Sequence, residues 1–260
     1  EGERPGVVHA LHIDPESALL EYLDLFYKLG RLSRTLDRFG VIEFATTIAP
    51  GVRDVLLTGK IYEAVQRNAR NKGATQYDAV VLDAPPTGRI TQFMNVSNEL
   101  AGLAKVGPIR SQADTMMTLF RSPRTVVHLV TVLEEMPVQE TADGIADLHA
   151  NELPVGGVVV NLVRPQDLTP AQLVATDASA VARDLASVDV PADPTQRAHL
   201  VDGLLAEGRE HAERRELENA QRGLVAALAV PTYELPRLTT GVDLGALYEL
   251  AGQLREQGMA

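Results

Sequence analysis

Short, unbroken apolar runs alternate along this chain with longer stretches in which apolar residues recur every three or four positions. The runs Ala79–Leu82, Thr125–Leu133 and Val155–Val160 are each bounded by polar or turn-forming residues. Continuous runs of this length are typical of parallel strands that are covered on both faces. The stretches between them have helical spacing, so the pattern predicts an α/β fold in which crossover helices connect the strands of a parallel sheet.

The same pattern predicts further elements. Short strands are expected at Val7–Ile13 and Pro231–Leu235. Asp14 is assigned as a helix N-cap rather than a catalytic acid, because a Pro follows it at the first helical position. We find no internal repeat or linker and expect residues 1–260 to form one composite domain. Helices are expected at Leu29–Arg38, Pro50–Asn68, Gln92–Phe120, Pro137 to about Asn151, Thr169–Val190 and Val242–Gln257.

The most informative stretch is Tyr77–Arg89, YDAVVLDAPPTGR. The predicted strand would deliver Asp83 to the carboxyl edge of the sheet, where ligands of open parallel sheets bind. An acid in this position, followed by a stiff Pro-rich loop, suits a magnesium ion held directly or through water. Thr87 adds a hydroxyl, and Gly88 allows a phosphate to approach the backbone closely. The alternative is an Asp that only caps the turn.

This stretch is similar to the second switch segment of the anion-transporting ATPase family, whose usual form is D-T-A-P-T-G-H-T. That family includes the arsenical-pump and tail-anchored-protein-targeting ATPases, and this chain looks most like its actinobacterial branch. Other stretches resemble the family in the same order, with a weaker match in PTYELPRLTTGVDLGAL near the end. They are LHIDPESALLEYL (Leu11–Leu23), APGVRDVLLTGKI (Ala49–Ile61), and VVHLVTVLEEMPVQET with PVGGVVVNLVRP (Val126–Pro165).

The resemblance implies a three-layer α/β/α P-loop NTPase fold that carries a helical subdomain at about residues 16–70 and 92–122. It also implies ATP and magnesium as ligands. Asp83 would then hold magnesium through water, and Thr87 with Gly88 would sense the γ-phosphate. Pro86 belongs to the same P-T-G core and would lie against the nucleotide.

The resemblance places the adenine base near two further strand ends. Asn161, at the end of the Val155–Val160 strand, corresponds to the family's adenine-recognising Asn, and its amide offers both a donor and an acceptor. By the same resemblance, Leu235 and Pro236, followed by Arg237, would lie against the adenine. From the residues alone, Asn161 could instead be a turn-forming Asn.

The P-loop itself is missing from the sequence, which contains no G-x-x-x-x-G-K-[ST] segment. The nearest fragment, Thr58–Ile61, lacks the preceding glycine and the following hydroxyl. Relatives have the first βαβ unit before the LHIDPE segment, so we expect a truncated chain rather than a P-loop-less paralogue. The switch segment also departs from the family pattern, with Ala84, Pro85, Arg89 and Ile90 in place of Thr, Ala, His and Thr.

Composition narrows the possible functions. A net charge of -11 and a pI near 5.0 argue against a nucleic-acid-binding surface. The absence of cysteine excludes disulfides, Cys-ligated zinc and thiolate binding of arsenite. No stretch approaches the roughly 20 apolar residues of a transmembrane helix, and residues 1–13 do not have the basic-then-apolar pattern expected of a secretory signal. We therefore expect a soluble, cytoplasmic protein.

Three features admit a plain structural explanation. Met94, Met116 and Met117 could form an adaptable surface for a hydrophobic client, or they could simply pack in the core. His128 is expected to be a core or semi-buried side chain and not a metal ligand. The charged stretch Gln196–Ala229 is expected to be a solvated helix face without chemistry.

Together these patterns lead to one principal hypothesis. The chain would be an ATP-binding and hydrolysing subunit of a dimeric ATPase, in which the nucleotide moves the helical subdomain. Its partners would be a homologous ATPase subunit and a hydrophobic protein client or membrane partner. The alternative is a non-catalytic scaffold subunit without a P-loop that pairs with an active homologue.

Overall fold

The computed structural model describes residues 6–13, 50–66, 75–94, 108–165, 172, 177–188, 193–239 and 241–259. The predicted helix at Leu29–Arg38 and the capping role of Asp14 lie outside these ranges. The strands are β1 (Val127–Thr131), β2 (Val155–Val163) and β3 (Thr232–Pro236). The helices are α1 (Pro50–Gln66), α2 (Thr87–Met94), α3 (Pro108–Phe120), α4 (Glu135–Ala150), α5 (Ala178–Leu185), α6 (Pro194–Ala226) and α7 (Leu244–Glu256).

The described strands form a parallel sheet in the order β1-β2-β3. Its centre is β2, where Val158 and Val160 are fully buried. Gly157 makes a close approach possible, because a Cβ there would lie 2.5 Å from the carbonyl oxygen of Pro231. That carbonyl accepts a hydrogen bond of 2.8 Å from the amide of Val158. The predicted parallel α/β sheet is confirmed.

Aspartate side chains begin three of the helices. Asp193 accepts hydrogen bonds from the amides of Thr195 and Gln196 at 2.7 and 3.2 Å, and Pro194 occupies the first turn of α6. Asp177 and Asp243 cap α5 and α7 in the same way, each by accepting from the amide three residues on. These bonds satisfy amides that a helix leaves without an intrahelical partner.

The outer edge of β3 is covered by α7. The side-chain amide of Gln257 accepts a hydrogen bond from the amide of Glu234 at 2.8 Å and donates one to the carbonyl of the same residue at 2.8 Å. It therefore imitates a neighbouring strand. Covering an edge in this way removes a template for unwanted strand pairing.

The chain divides into two compact units. The first comprises Glu1–Val126 and Asp147–Pro154, and in it α1 packs on α2 and α3. Met116 and Met117 are buried in its core, which favours the packing explanation for these two methionines over an exposed client surface. The second unit comprises Val127–Ala146 and Val155–Ala260 and contains the sheet.

Two predicted strands are wrong. Residues 6–13 and 75–86 have no regular secondary structure, and the side chain of Val81 is 95% exposed rather than buried. A strand depends on a neighbour for its backbone hydrogen bonds. Among the described residues, only β1, β2 and β3 pair into a sheet, so Ala79–Leu82 has no such neighbour there.

The predicted burial of His128 is also wrong, because this side chain is exposed. The prediction assumed that both faces of the strand are covered. In the structure only one face of β1 is buried, with Leu129 and Thr131 inside, and His128 and Val130 outside.

No helix within the described ranges is both long enough and apolar enough to cross a membrane.

Candidate functional site

A cavity of about 490 Å³ lies in the second unit, beyond the carboxyl ends of β2 and β3. Arg164 and Pro165 follow β2, and Arg237, Leu238 and Thr239 follow β3. The remaining wall is a stretch of α6 that contributes Glu207, Glu210, His211 and Arg214. Its volume is within the 300–1,000 Å³ that small-molecule sites occupy, and the carboxyl ends of parallel strands are where such sites form.

The two strand ends are joined at the base of the cavity. Val163 of β2 is the register partner of Pro236 of β3, and the amide of Arg237 donates a 2.8 Å hydrogen bond to the carbonyl of Val163. Because this bond extends the ladder by one residue, the segments after the strands leave the sheet side by side. Arg164 and Arg237 therefore both reach the cavity wall.

A partly buried ionic network attaches α6 to the end of β2. The carboxylate of Glu218 lies 3.1 Å from Nε of Arg164 and 3.1 Å from Nη1 of Arg215. Arg215 also donates a 3.1 Å hydrogen bond to the carbonyl of Arg164. Only 10% of the Glu218 side chain is exposed, so two guanidinium groups neutralise a carboxylate that water hardly reaches. This network holds the helical wall of the cavity against the strand.

The other polar groups of the cavity differ in whether they have partners. Arg214 is paired with Glu210 one turn earlier on the helix. Glu207 and Arg237 are exposed and make no side-chain hydrogen bond or ion pair to another described residue. His211 lines the cavity, but its Nε2 is shielded from water and has no hydrogen-bond partner among the described residues. The available charged groups are therefore the carboxylate of Glu207 and the guanidinium of Arg237.

The predicted adenine-binding residues lie just before the cavity and do not line it. The Oδ1 atom of Asn161 accepts a 2.9 Å hydrogen bond from the amide of Leu162, a residue with a φ of 58°. Asn161 thus supports the irregularity of β2 between Val160 and Val163, and its Nδ2 has no described partner. The side chain of Leu235 is buried, and Pro236 is half-buried at the end of β3. The structure brings both strand ends together, as Val163 and Pro236 show.

The loop Asp83–Gly88 belongs to the first unit. Asp83 is exposed and makes no hydrogen bond or ion pair with any described residue. Pro86 precedes α2, which begins at Thr87, and the carbonyl of Pro86 accepts a 2.8 Å hydrogen bond from the amide of Arg89. A Cβ at Gly88 would meet nothing within 4 Å, so the space beside this turn is open.

In the described ranges, His, Asp and Glu side chains form no group of three that could hold a metal ion by themselves. A protein-only metal cage is therefore not formed by this part of the chain. The donor at hand is Asp83, whose single free carboxylate fits an ion that keeps water and phosphate ligands, as magnesium does.

Sequence reasoning missed the contribution of α6. The stretch Gln196–Ala229 was expected to be a solvated face, which is wrong for Glu218, because this residue is buried. A usable signal was present: Glu207, His211, Arg214 and Glu218 recur at spacings of four, three and four and so share one helical face. Charged residues confined to one face indicate a contact surface when another element packs there.

Comparison with known proteins covers both the Asp83–Gly88 loop and the residues that line the cavity. The sequence profile of the anion-transporting ATPases matches residues 7–124, which include the Asp83 loop. ATPase BagA of Mycobacterium tuberculosis is 48% identical over 264 residues, an alignment that spans 99% of this chain and 76% of that protein. ATPase GET3 of Lachancea thermotolerans is 23% identical over 184 residues, which are 58% of this chain and 52% of that protein.

Proposed function

Because the chain belongs to the anion-transporting ATPase family, we propose that it is part of an ATP-binding and ATP-hydrolysing subunit. One observation carries the proposal: 48% identity, over 99% of the chain, to a protein named as an ATPase. The profile match to the family includes Asp83, Pro86, Thr87 and Gly88. A P-loop from outside these 260 residues, on the same polypeptide or on a partner subunit, would complete the phosphate site.

Asp83 is the group that we assign to magnesium. Magnesium usually takes one or two carboxylates together with waters and substrate phosphates, so a single exposed and unpaired carboxylate suits it. When bound, the ion would neutralise charge on the transferred phosphate group. Asp83 itself would orient the water ligands of that ion by accepting their hydrogen bonds.

Thr87 and Gly88 are assigned to the γ-phosphate. They form the first turn of α2, where backbone amides and the helix dipole favour an anion. The open space beside Gly88 would let an oxygen approach the backbone. Loss of that phosphate would release the loop from these contacts and allow α2 to move.

The cavity beyond β2 and β3 is assigned to the nucleoside half of ATP. Its position after the strands that carry Asn161 and Pro236 supports this assignment. The guanidinium of Arg237 is free to stack on a flat base, since it is not engaged by a described carboxylate. Asn161 lies just before the cavity, and its Nδ2, which has no partner among the described residues, would contact the base edge.

The proposal extends to partners that the family resemblance implies. The subunit would act in the cytoplasm as a nucleotide-gated dimer with a homologous subunit. Movement of α2 would be passed to helical segments at about 16–70 and 92–122, which would contact a hydrophobic protein client or a membrane partner. The burial of Met116 and Met117 leaves these two side chains out of any such contact surface.

A second candidate is favoured by the sequence of the phosphate site. The chain contains no G-x-x-x-x-G-K-[ST] segment, and its switch segment carries Ala84, Pro85, Arg89 and Ile90 where the family pattern has other residues. A non-catalytic scaffold that pairs with an active homologue would retain the fold under these changes.

Calorimetric titration with ATP and magnesium tests the proposal on the product of the complete reading frame and on the 260-residue chain. We expect the complete product to bind ATP and to lose affinity when magnesium is removed. If the complete product does not bind ATP, the nucleotide-binding proposal is wrong and the scaffold is favoured.

A further inference from the structure

Two carboxylates of α6, those of Glu207 and Glu210, line the cavity, and they differ in whether another side chain already binds them. Glu210 is engaged by Arg214, and the nearby Glu218 is engaged by Arg164 and Arg215. Glu207 also lines the cavity, but it has no hydrogen-bond or ion-pair partner in the part of the chain that the structure describes. Both oxygens of Glu207 are therefore available to a ligand.

The free carboxylate of Glu207 argues against an anion as the ligand at this position of the wall. Arg164, Arg214 and Arg237 line the cavity, and Glu207 and Glu210 line it with them. The carboxylate of Glu218, which does not line the cavity, is shared between Arg164 and Arg215. Among the described lining residues, three guanidinium groups face two carboxylates, but a phosphate placed directly against the carboxylate of Glu207 would be repelled. An ionised carboxylate can only accept hydrogen bonds, and neutral hydroxyl groups can donate to it.

We propose that Glu207 binds the ribose hydroxyls of the nucleotide and makes the site selective for ribonucleotides. The two oxygens of a carboxylate can accept from two vicinal hydroxyls at once, and such charge-assisted pairs are the stronger hydrogen bonds. The volume of about 490 Å³ suits a nucleoside. The proposal rests on the nucleotide-binding function above and deepens it by naming the group that recognises the sugar.

The backbone position of Glu207 is set by ion pairs further along α6, since the side chain of Glu207 itself has no described hydrogen-bond or ion-pair partner. The network of Arg164, Glu218 and Arg215 fixes α6 three turns further along the same helix. Arg222, one turn beyond that, forms a second ion pair with Glu234 of β3, with 2.6 Å between Nε and Oε1. Because the helix is attached both to the residue that follows β2 and to the middle of β3, the backbone that carries Glu207 is held at the cavity before a ligand arrives.

The test compares the affinities of ATP and 2′-deoxy-ATP by calorimetry on the product of the complete reading frame. We expect the wild type to prefer ATP by about tenfold, the effect of one hydrogen bond to a charged group. Glu207→Ala should weaken ATP binding to the level of 2′-deoxy-ATP, and Glu207→Gln should retain part of the preference. Glu213→Ala, an exposed change on the same helix that does not line the cavity, should keep the wild-type ratio.

The possible outcomes separate this inference from the function on which it rests. An unchanged ratio of the two affinities in Glu207→Ala would overturn the ribose assignment and leave ATP binding intact. A wild type that binds both nucleotides equally would overturn it as well. If the wild type binds neither nucleotide, the nucleotide-binding function is wrong, and the ribose assignment is overturned with it.

Discussion

Glu218 and Arg164 form a partly buried ion pair, with 3.1 Å between the carboxylate and Nε, that attaches the longest described helix to the end of the central strand. Arg215 completes the network by contacting the same carboxylate and the carbonyl of Arg164. Removal of one partner would leave the others charged and poorly solvated. The network therefore contributes to stability mainly because breaking it would leave charged side chains without a counter-charge where water reaches them poorly.

Glu218→Ala should destabilise the protein by about 3 kcal/mol, since two guanidinium groups would lose a buried counter-charge. The free energy of unfolding in urea measures this effect. Glu216→Ala, an exposed change on the same helix, should stay within about 0.5 kcal/mol of the wild type. Equal stability of the two variants would show that the network contributes nothing.

Gly157→Ala should lower the free energy of unfolding by about 2–3 kcal/mol, because its Cβ would overlap the carbonyl oxygen of Pro231. Gly223→Ala is the matched control, since it lies in α6 and its Cβ would meet nothing within 4 Å. That substitution should raise stability by about 0.5–1 kcal/mol through helix propensity. Thermal or urea unfolding of both variants would reveal the opposite signs, and a neutral Gly157→Ala would contradict the described packing of β2.

Gln257→Ala should cost about 1–2 kcal/mol, because both hydrogen bonds to the backbone of Glu234 would be lost. Gln257→Glu should also destabilise, since a carboxylate cannot donate to the carbonyl of Glu234. Gln253→Ala is the control, as the one hydrogen bond of its side chain to a described residue is a 3.5 Å bond to Glu249. Hydrogen exchange of the Glu234 amide measures the effect locally, and unchanged protection in Gln257→Ala would refute the edge-capping role.

The elements that the sequence predicted well are those whose pattern is local. The run Val155–Val160 predicted β2, although the strand continues through Asn161 to Val163. Helices α1, α4 and α7 begin within two residues of their predicted starts, because proline, aspartate and apolar spacing mark helices without reference to the rest of the chain. The family resemblance, including its actinobacterial branch, is confirmed by the mycobacterial relative.

The features that sequence did not predict depend on neighbours. Ala79–Leu82 has strand-like composition, but a strand forms only where another strand accepts its backbone hydrogen bonds. The contact of Glu218 with Arg164 joins residues far apart in sequence, so its burial depends on how α6 packs on the strand ends. The roles of Asp83, Thr87 and Gly88 stay predictions, because they depend on a nucleotide that only binding experiments can test.

The measurement that tests the central claim most directly is ATP hydrolysis by the product of the complete reading frame, wild type against Asp83→Asn. Asp78→Asn serves as the control, because it removes an exposed carboxylate five residues earlier. We predict magnesium-dependent hydrolysis in the wild type and in Asp78→Asn. The rate should fall about 100-fold in Asp83→Asn, the scale on which electrostatic groups contribute to catalysis. Hydrolysis by Asp83→Asn at the wild-type rate would contradict the role given to Asp83.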